Sequence, residues 1–366
     1  MELKINTYKE TGKNLSQFDL NNFLVRLKQE HKSLKKVHSQ ALQNINQRIS
    51  FAFNNFYNRL QKGEKPGFPR FKGRNRYDSI TYPQSGFSLG KKLDVSKIGE
   101  MSIVQHRAIE GQIKTLTIKQ TPTRKWFATF CVEPDKKEIV RNDLVIAGID
   151  MGLNHFYADS FGNIADNPRC LRKLEQKLAS VQKEHSRKKK GSKNGSKSRL
   201  EVALVHEKIA NQREDFLHKE SRKLAVLYSV IAVEKLSIKN MLQNRYLSKS
   251  IADAAWGKFL QMLAYKVEET GGKILEVNAK GTSQYCICGN EVKKTLAVRI
   301  QECNKCGIYI DRDIMSAMMI KQVAISGTTA GSAESNAWED TTGGGTVNRS
   351  TSYVSMNQES LTSRTI

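Results

Sequence analysis

The chain carries two apolar runs that each end in a carboxylate, and this pattern limits its fold more than any other feature. One is Leu144-Val-Ile-Ala-Gly-Ile leading into Asp150; the other is Val230-Ile-Ala-Val leading into Glu234. Short apolar runs of this kind read as buried strands. An acid at the end of a buried strand is costly to desolvate unless it is paired or holds a metal. A third acid, Asp313 in Asp311-Arg-Asp, opens a segment to Ile325 that reads as a last helix. Taken singly, each acid could simply pair with a nearby Lys or Arg. As a set they suggest Mg2+, which prefers oxygen ligands, keeps some of its waters and needs few carboxylates.

The segments between these acids set an order of elements. After the first strand come a second, His155-Phe-Tyr-Ala-Asp, and a Phe161-Gly-Asn turn. Leu171, Leu174, Leu178 and Val181 then fall on one helical face, and Val202, Val205, Ile209, Phe216, Leu224 and Leu227 on another. A helix over Ala254 to Thr270 and a strand beginning at Lys273 follow the Glu234 run. Strand, hairpin, helix, strand is how an RNase H-like domain begins. Its chemistry uses two divalent cations roughly 3.5–4 Å apart, held by carboxylates. The order Asp, Glu, Asp suits a RuvC-type nuclease, whereas a cut-and-paste transposase of that superfamily would run Asp, Asp, Glu. Lys183 to Arg199 holds eight basic residues against one acidic, with Gly191 and Gly195 expected to break any helix.

Upstream, residues 1–62 read as helical, with Leu20, Phe23, Leu24 and Leu27 and then Val37, Leu42, Ile45, Ile49, Phe53 and Phe56 at helical spacing. Gly63 and Pro66 stop that pattern, and short β-prone runs follow at Ser79–Tyr82, Met101–Val104, Ile113–Ile118 and Trp126–Val132. Strands at such intervals suggest a small barrel or sandwich. Residues 327–366 are rich in Gly, Ser, Thr and Asn and read as a disordered tail.

Charge and cysteine content narrow the partners. Sixty Lys and Arg against thirty-six Asp and Glu give +24, an excess that favours a polyanion such as nucleic acid. The longest uncharged apolar stretch, Leu224 to Val233, is half of the roughly twenty residues a membrane helix needs, and Met1-Glu-Leu-Lys-Ile-Asn has no signal pattern. The expectation is a soluble, cytoplasmic protein without a membrane partner. Cys131 and Cys170 stand alone, while Cys286, Cys288, Cys303 and Cys306 cluster. Cys303-Asn-Lys-Cys306-Gly307 is a CxxCG knuckle, and Cys286-Ile-Cys288-Gly289 is its counterpart, one residue short. Four thiolates on two knuckles make a structural Zn2+ ribbon. The alternative is a degenerate ribbon that packs without metal, and the CxC loop predicts weakened affinity.

These motifs together resemble the TnpB (OrfB) family of bacterial insertion sequences, relatives of the type V CRISPR effector nucleases. The resemblance is carried by Gly67-Phe-Pro-Arg-Phe-Lys72, Gly148-Ile-Asp-Met-Gly-Leu153, Gln212-Arg213 with Asp215-Phe216, Val233-Glu-Lys-Leu236, Thr282-Ser-Gln284, and Cys303 to Gly307 running into Asp311-Arg-Asp313. It extends from residue 1 to about 325. It implies an RNA-guided DNA endonuclease: a transposon-derived guide RNA pairs with one strand of double-stranded target DNA, and the protein reads a short adjacent motif. Asp150, Glu234 and Asp313 would then hold two Mg2+ as catalytic carboxylates, and Cys286, Cys288, Cys303 and Cys306 a structural Zn2+.

The implied architecture is α+β. A helical recognition lobe (1–62) and a wedge-type β-barrel (63–138) would precede a RuvC nuclease domain (139–283 and 310–326), with a zinc ribbon inserted at 284–309. Arg70, Lys72, Arg74, Arg76, Tyr77, Ser79 and Thr81 would be candidates for motif and backbone contacts, the alternative being a solvated basic loop. Arg187, Lys188, Lys189 and Lys190 would touch phosphates rather than bases, or form a charged loop of nonspecific affinity. Three features depart from the family pattern. A strand and a helix that usually precede the segment matching Glu2-Leu-Lys are missing, so the barrel would lack an edge strand and the lobe a helix. The first knuckle is CxC. Met315 stands where Asn is usual. A guided DNA binder that does not cut and a transposase acting on transposon ends are the rival functions.

Overall fold

The computed structural model describes residues 1–73, 76–133, 139, 141–278, 284–292 and 298–329. The chain divides into two units, one over Met1–Lys136 and the other over Lys137–Ser335.

The first unit begins with helices α1 (Glu2–Thr11), α2 (Gln17–Glu30) and α3 (Ser39–Gln61). Ser16 caps α2 with a full capping box: its hydroxyl accepts from Asp19 N, and the Asp19 carboxylate accepts from Ser16 N at 2.9 Å. The β-rich half holds two separate three-stranded antiparallel sheets. One runs in the order β1 (Ser79–Tyr82), β5 (Gln112–Gln120), β6 (Trp126–Glu133); the other joins β2 (Phe87–Leu89), β3 (Lys92–Val95) and β4 (Gly99–Ser102). Both contribute to one core, where Tyr82, Leu116 and Phe130 meet Leu93 and Val95. The expected closed barrel is therefore corrected to two small open sheets. No pairing joins them among the described residues: three of the four edge strands, β1, β2 and β4, are only three or four residues long, and the longer edge strand, β6, pairs only with β5.

The second unit is built on a five-stranded sheet. Strands β7 (Ile146–Met151), β8 (His155–Asp159) and β9 (Ile164–Asp166) form an antiparallel meander, and β10 (Val230–Glu234) and β11 (Lys273–Val277) add in parallel, giving the order β11-β10-β7-β8-β9. Helices α4 (Cys170–Ser186) and α5 (Lys193–Leu227) form a long hairpin between β9 and β10. Gly195 does not break α5: it lies in the first turn, where its N–H donates to the capping Ser192 hydroxyl at 3.0 Å. Short helices α6 (Ile238–Met241) and α7 (Ser248–Ala254) lead to α8 (Trp256–Glu269). A two-stranded hairpin, β12 (Ile300–Glu302) with β13 (Tyr309–Asp311), precedes α9 (Arg312–Thr329). That helix runs past Gly327, where the tail was expected to begin; residues 330–366, with the expected disorder, lie outside the described residues. No described helix is long and apolar enough to cross a membrane.

Alternation along the strands assigns the two sheet faces. Ala147, Ile149, Ile231 and Val233 face a core with Leu217 and Leu224 of α5 and Phe259 and Leu263 of α8. The opposite face carries Gly148, Asp150, Ala232 and Glu234, and α9 covers it: Ile320 and Ala324 pack with Ala232 and Val277. Gly148 makes this approach possible. A Cβ there would lie 2.0 Å from the Ala317 carbonyl oxygen and 2.6 Å from Lys321 N, so the helix backbone rests directly on the strand. Gly148→Ala is therefore expected to cost about 1–3 kcal/mol of stability by overpacking, read as a lower urea midpoint. An unchanged midpoint would show that the helix does not depend on this contact.

Candidate metal and nucleic-acid site

Register places the first two acids side by side. Val233 pairs with Ile149 across the parallel β10–β7 ladder, so Glu234 and Asp150, one residue on, share a face on neighbouring strands. The third arrives from the helix above them. Asp311 at the end of β13 caps α9, its carboxylate accepting from Asp313 N at 2.8 Å, and this frees the Asp313 side chain. A Cβ on Gly152 would come within 3.9 Å of Asp313 Oδ2, which puts the third carboxylate over the turn that follows Asp150.

The electrostatics report the same convergence. Asp150 is pushed up from the ordinary 3.8 to about 8, first by burial and then by the charges of Asp313 and Glu234; Arg312 pulls it the other way. Burial also raises Glu234. Asp150 and Glu234 nonetheless keep solvent-facing edges, so an ion could reach them. A group of like charges gathered at the ends of two central strands, raised in pKa rather than neutralised, suits divalent cations with oxygen preference. The only group of three or more metal-ligating side chains gathered closely enough among the described residues to hold a single ion is that of the four cysteines, whose sulfurs lie within 4.8 Å of one another.

Arg299 is a neighbour that sequence reasoning missed. Its Nη1 lies 3.9 Å from Asp313 Oδ2, and its carbonyl accepts from Arg312 N at 2.7 Å. With the Asn154 amide oxygen turned toward the guanidinium, that oxygen accepts from Arg299 Nε at 3.2 Å and Nη1 at 3.1 Å. No periodicity or motif spacing marks Arg299, since its role depends on how the hairpin folds back beside α9.

The four cysteines converge. Sγ of Cys286 lies 3.6 Å from that of Cys306, and Sγ of Cys288 lies 3.6 Å from that of Cys303. The short knuckle closes through Gly289 N–H to the Cys286 carbonyl at 2.8 Å, while the longer one closes through Gly307 N–H to the Cys303 carbonyl at 2.8 Å. Loss of one residue thus tightens the turn by one position without pulling the sulfurs apart. The N–H groups of Cys306 and Lys305 lower Cys303 to about 6, and burial pushes Cys286 up to about 12. Met315, at the position that departs from the family pattern, is fully buried against Cys286 and Cys303. It gives the first turn of α9 an apolar seat on the cysteine segment.

The expected nucleic-acid contacts are more scattered. Arg70, Arg76 and Tyr77 are exposed, and Lys72 lies 5.2 Å over the Tyr77 ring and 3.5 Å from Asp78. Ser79 is the first residue of β1, whereas the Thr81 hydroxyl is engaged internally, accepting from Arg48 Nη2 at 2.8 Å. Arg74 lies outside the described residues. Arg187, Lys188, Lys189 and Lys190 are exposed on the α4–α5 connection, with Lys188 paired to Glu184 at 3.1 Å.

Residues 129–245 match a family model described as OrfB_IS605, "Probable transposase", and residues 256–320 match one described as "Cas12f1-like, TNB domain". A "Putative RNA-guided DNA endonuclease" of Streptomyces pristinaespiralis is 31% identical over 306 residues, covering 81% of this chain and 74% of that protein. "Putative RNA-guided DNA endonuclease InsQ" of Escherichia coli K12 is 30% identical over 284 residues, covering 71% and 68%. The chain belongs to the TnpB (OrfB) family. Among solved structures, this TnpB-family chain is similar to "Cryo-EM structure of the Cas12f1-sgRNA-target DNA complex", with a TM-score of 0.37 at 13% identity over 87% of this chain and 89% of that one.

The raised Asp150 gives this TnpB-family protein a pH signature. Its folded-state value, about 8, lies above the ordinary 3.8, so the folded state binds that proton more tightly than the unfolded chain does. In EDTA, the stabilisation is complete below about pH 4 and is expected to be lost as pH rises to about 8, with a slope approaching 1.4 kcal/mol per pH unit. Asp150→Asn has no such proton to lose, so its stability should fall less over that window. Urea denaturation of both proteins across pH 4–8 checks this; parallel profiles would contradict it.

Proposed function

We propose that this protein is an RNA-guided DNA endonuclease whose nuclease centre is Asp150, Glu234 and Asp313, acting in a RuvC-type, RNase H-like domain. The observation that supports the reading is the approach of three carboxylates from β7, β10 and α9 at the C-terminal ends of two central strands, where Asp313 and Glu234 both worsen the ionisation of Asp150. The names of the two bacterial relatives point the same way. Asp150, Glu234 and Asp313 would hold two Mg2+, the cofactor that supplies an activated water and stabilises the leaving 3′ oxygen. Within the chain, Asp311 fixes the start of α9 and so the position of Asp313, and Arg299 offers a guanidinium beside the same carboxylate. An arginine there suits the phosphodiester's oxygens.

Cys286, Cys288, Cys303 and Cys306 would hold one structural Zn2+, the converged sulfurs being the donor set that tetrahedral zinc prefers. The partners of this reading are a guide RNA from the transposon and double-stranded DNA bearing an adjacent motif. The unit over Met1–Lys136 and the basic α4–α5 connection would provide the nucleic-acid contacts, with base pairing rather than protein reading the sequence.

The test is plasmid cleavage by protein purified with RNA from its own locus. Cutting should require the matching target and Mg2+, stop in EDTA, and fall about a hundred- to a thousandfold in Asp150→Ala while guided DNA binding stays near wild type, the size of loss expected when a main electrostatic element of a site is removed. Undiminished cutting by Asp150→Ala would overturn the site. Guided binding without cutting by the wild-type protein would favour the non-cleaving binder. Native mass spectrometry of the same preparation should show one zinc per chain, lost in Cys303→Ser; a wild-type chain without zinc would contradict the ribbon assignment.

A further inference from the structure

A cleft of about 430 Å3 opens beside the proposed nuclease centre and has no part in holding the carboxylates. Its size is within the ~300–1,000 Å3 of typical ligand clefts. One wall is the β7–β8 turn, Leu153 and Asn154, the latter being the residue that reaches Arg299 beside Asp313. The opposite wall is the α6–α7 connection, where Tyr246 is 94% exposed. A tyrosine ring left so open, at the mouth of a cleft, loses the burial that such a ring ordinarily gains.

The floor is tied by hydrogen bonds and most of its charges are paired. Asp253 accepts from Leu171 N at 3.0 Å with both oxygens and from Arg213 Nη2 at 2.7 Å. Lys249 is paired with Glu175. Asn167 ties the wall to the floor, donating to the Leu153 carbonyl at 3.0 Å and accepting from Arg169 N at 3.1 Å. That leaves Arg169 and Arg172, both exposed, with guanidinium groups that pair with no described residue. Arg169 sits at φ +47° at the start of α4, a backbone conformation uncommon for a side chain of this size.

We infer that this cleft binds an unpaired nucleotide of single-stranded DNA, its base stacked on Tyr246 and its flanking phosphates on Arg169 and Arg172, next to the bond that is cut. An exposed ring offers a stacking face that paired bases in a duplex do not free, and two unpaired arginines match the two phosphates flanking one nucleotide. The inference deepens the nuclease reading and rests on it for the choice of DNA over other polyanions.

The test uses the full chain in EDTA with a 15-residue deoxythymidine oligonucleotide carrying one 5-iododeoxyuridine, in 0.3 M salt to suppress nonspecific contacts. Illumination should crosslink the oligonucleotide to Tyr246, as mapped by peptide mass spectrometry. Tyr246→Ala should weaken binding by about 5- to 150-fold, the range of one lost base stack, and Tyr246→Trp should restore it. The Arg169→Ala/Arg172→Ala pair should flatten the logarithmic salt dependence by about 1.4, or 0.7 per single-strand phosphate contact. Crosslinks only elsewhere, an unchanged affinity of Tyr246→Ala, or displacement by RNA of the same sequence at lower concentration than by DNA would each overturn the inference. A Tyr246 crosslink in a protein that never cuts would support the cleft and overturn the nuclease reading. Guided cutting without that crosslink would overturn the cleft alone.

Discussion

The contact between the backbone of α9 and Gly148 is the constraint on which the second unit turns. With no side chain at Gly148, the helix lies on the strand closely enough for Asp313 to reach over the Asp150–Glu234 pair. Any larger residue would lift the helix and separate the third acid from the first two. The same closeness has an electrostatic cost: burial and two neighbouring charges make Asp150 reluctant to ionise. The fold thus holds together a group of charges that repel, and hydrophobic packing by Ile320 and Ala324 on Ala232 and Val277 offsets that repulsion.

The cysteine segment is part of the same device. Cys286 and Cys303 pack against Met315, and Asp311 at the end of the β12–β13 hairpin caps the helix two residues before Asp313. Arg299, just before that hairpin, comes to within 3.9 Å of Asp313. The position of the third acid is therefore set jointly by the sheet, through Gly148, and by the cysteine knuckles, through Met315 and the cap. The missing residue of the short knuckle is absorbed in its own turn, and the four sulfurs still meet.

Much of the second unit was legible in the sequence for a local reason. Strands β7 and β10 are buried runs interrupted by a single acid, and an acid at such a position has few explanations other than a partner or a metal. Helices α4 and α5 showed their apolar stripes. What escaped was non-local. Closure of the β-rich half depends on which edges pair, and short strands such as Lys92-Leu-Asp-Val and Phe87-Ser-Leu carry too little pattern to settle that; the expected barrel is two open sheets. Gly195 was expected to break a helix that the Ser192 cap instead begins. Arg299 and Asn154 carried no spacing signal, and Asp311 stood in a visible motif whose capping role did not show, since these roles arise where a hairpin, a turn and a helix start come together. The Gln212-Arg213 motif was visible, but its physical use, clamping Asp253 under the start of α4, needed the fold.

On the proposed reading, the mutually repelling carboxylates hold two divalent cations. Electron paramagnetic resonance of the purified protein titrated with Mn2+ measures this directly, because two manganese ions roughly 4 Å apart couple magnetically and isolated ions do not. Two bound ions per chain with a coupled spectrum are expected, the coupling being lost in Asp313→Asn. A single uncoupled ion in the wild-type protein, or none, would contradict it.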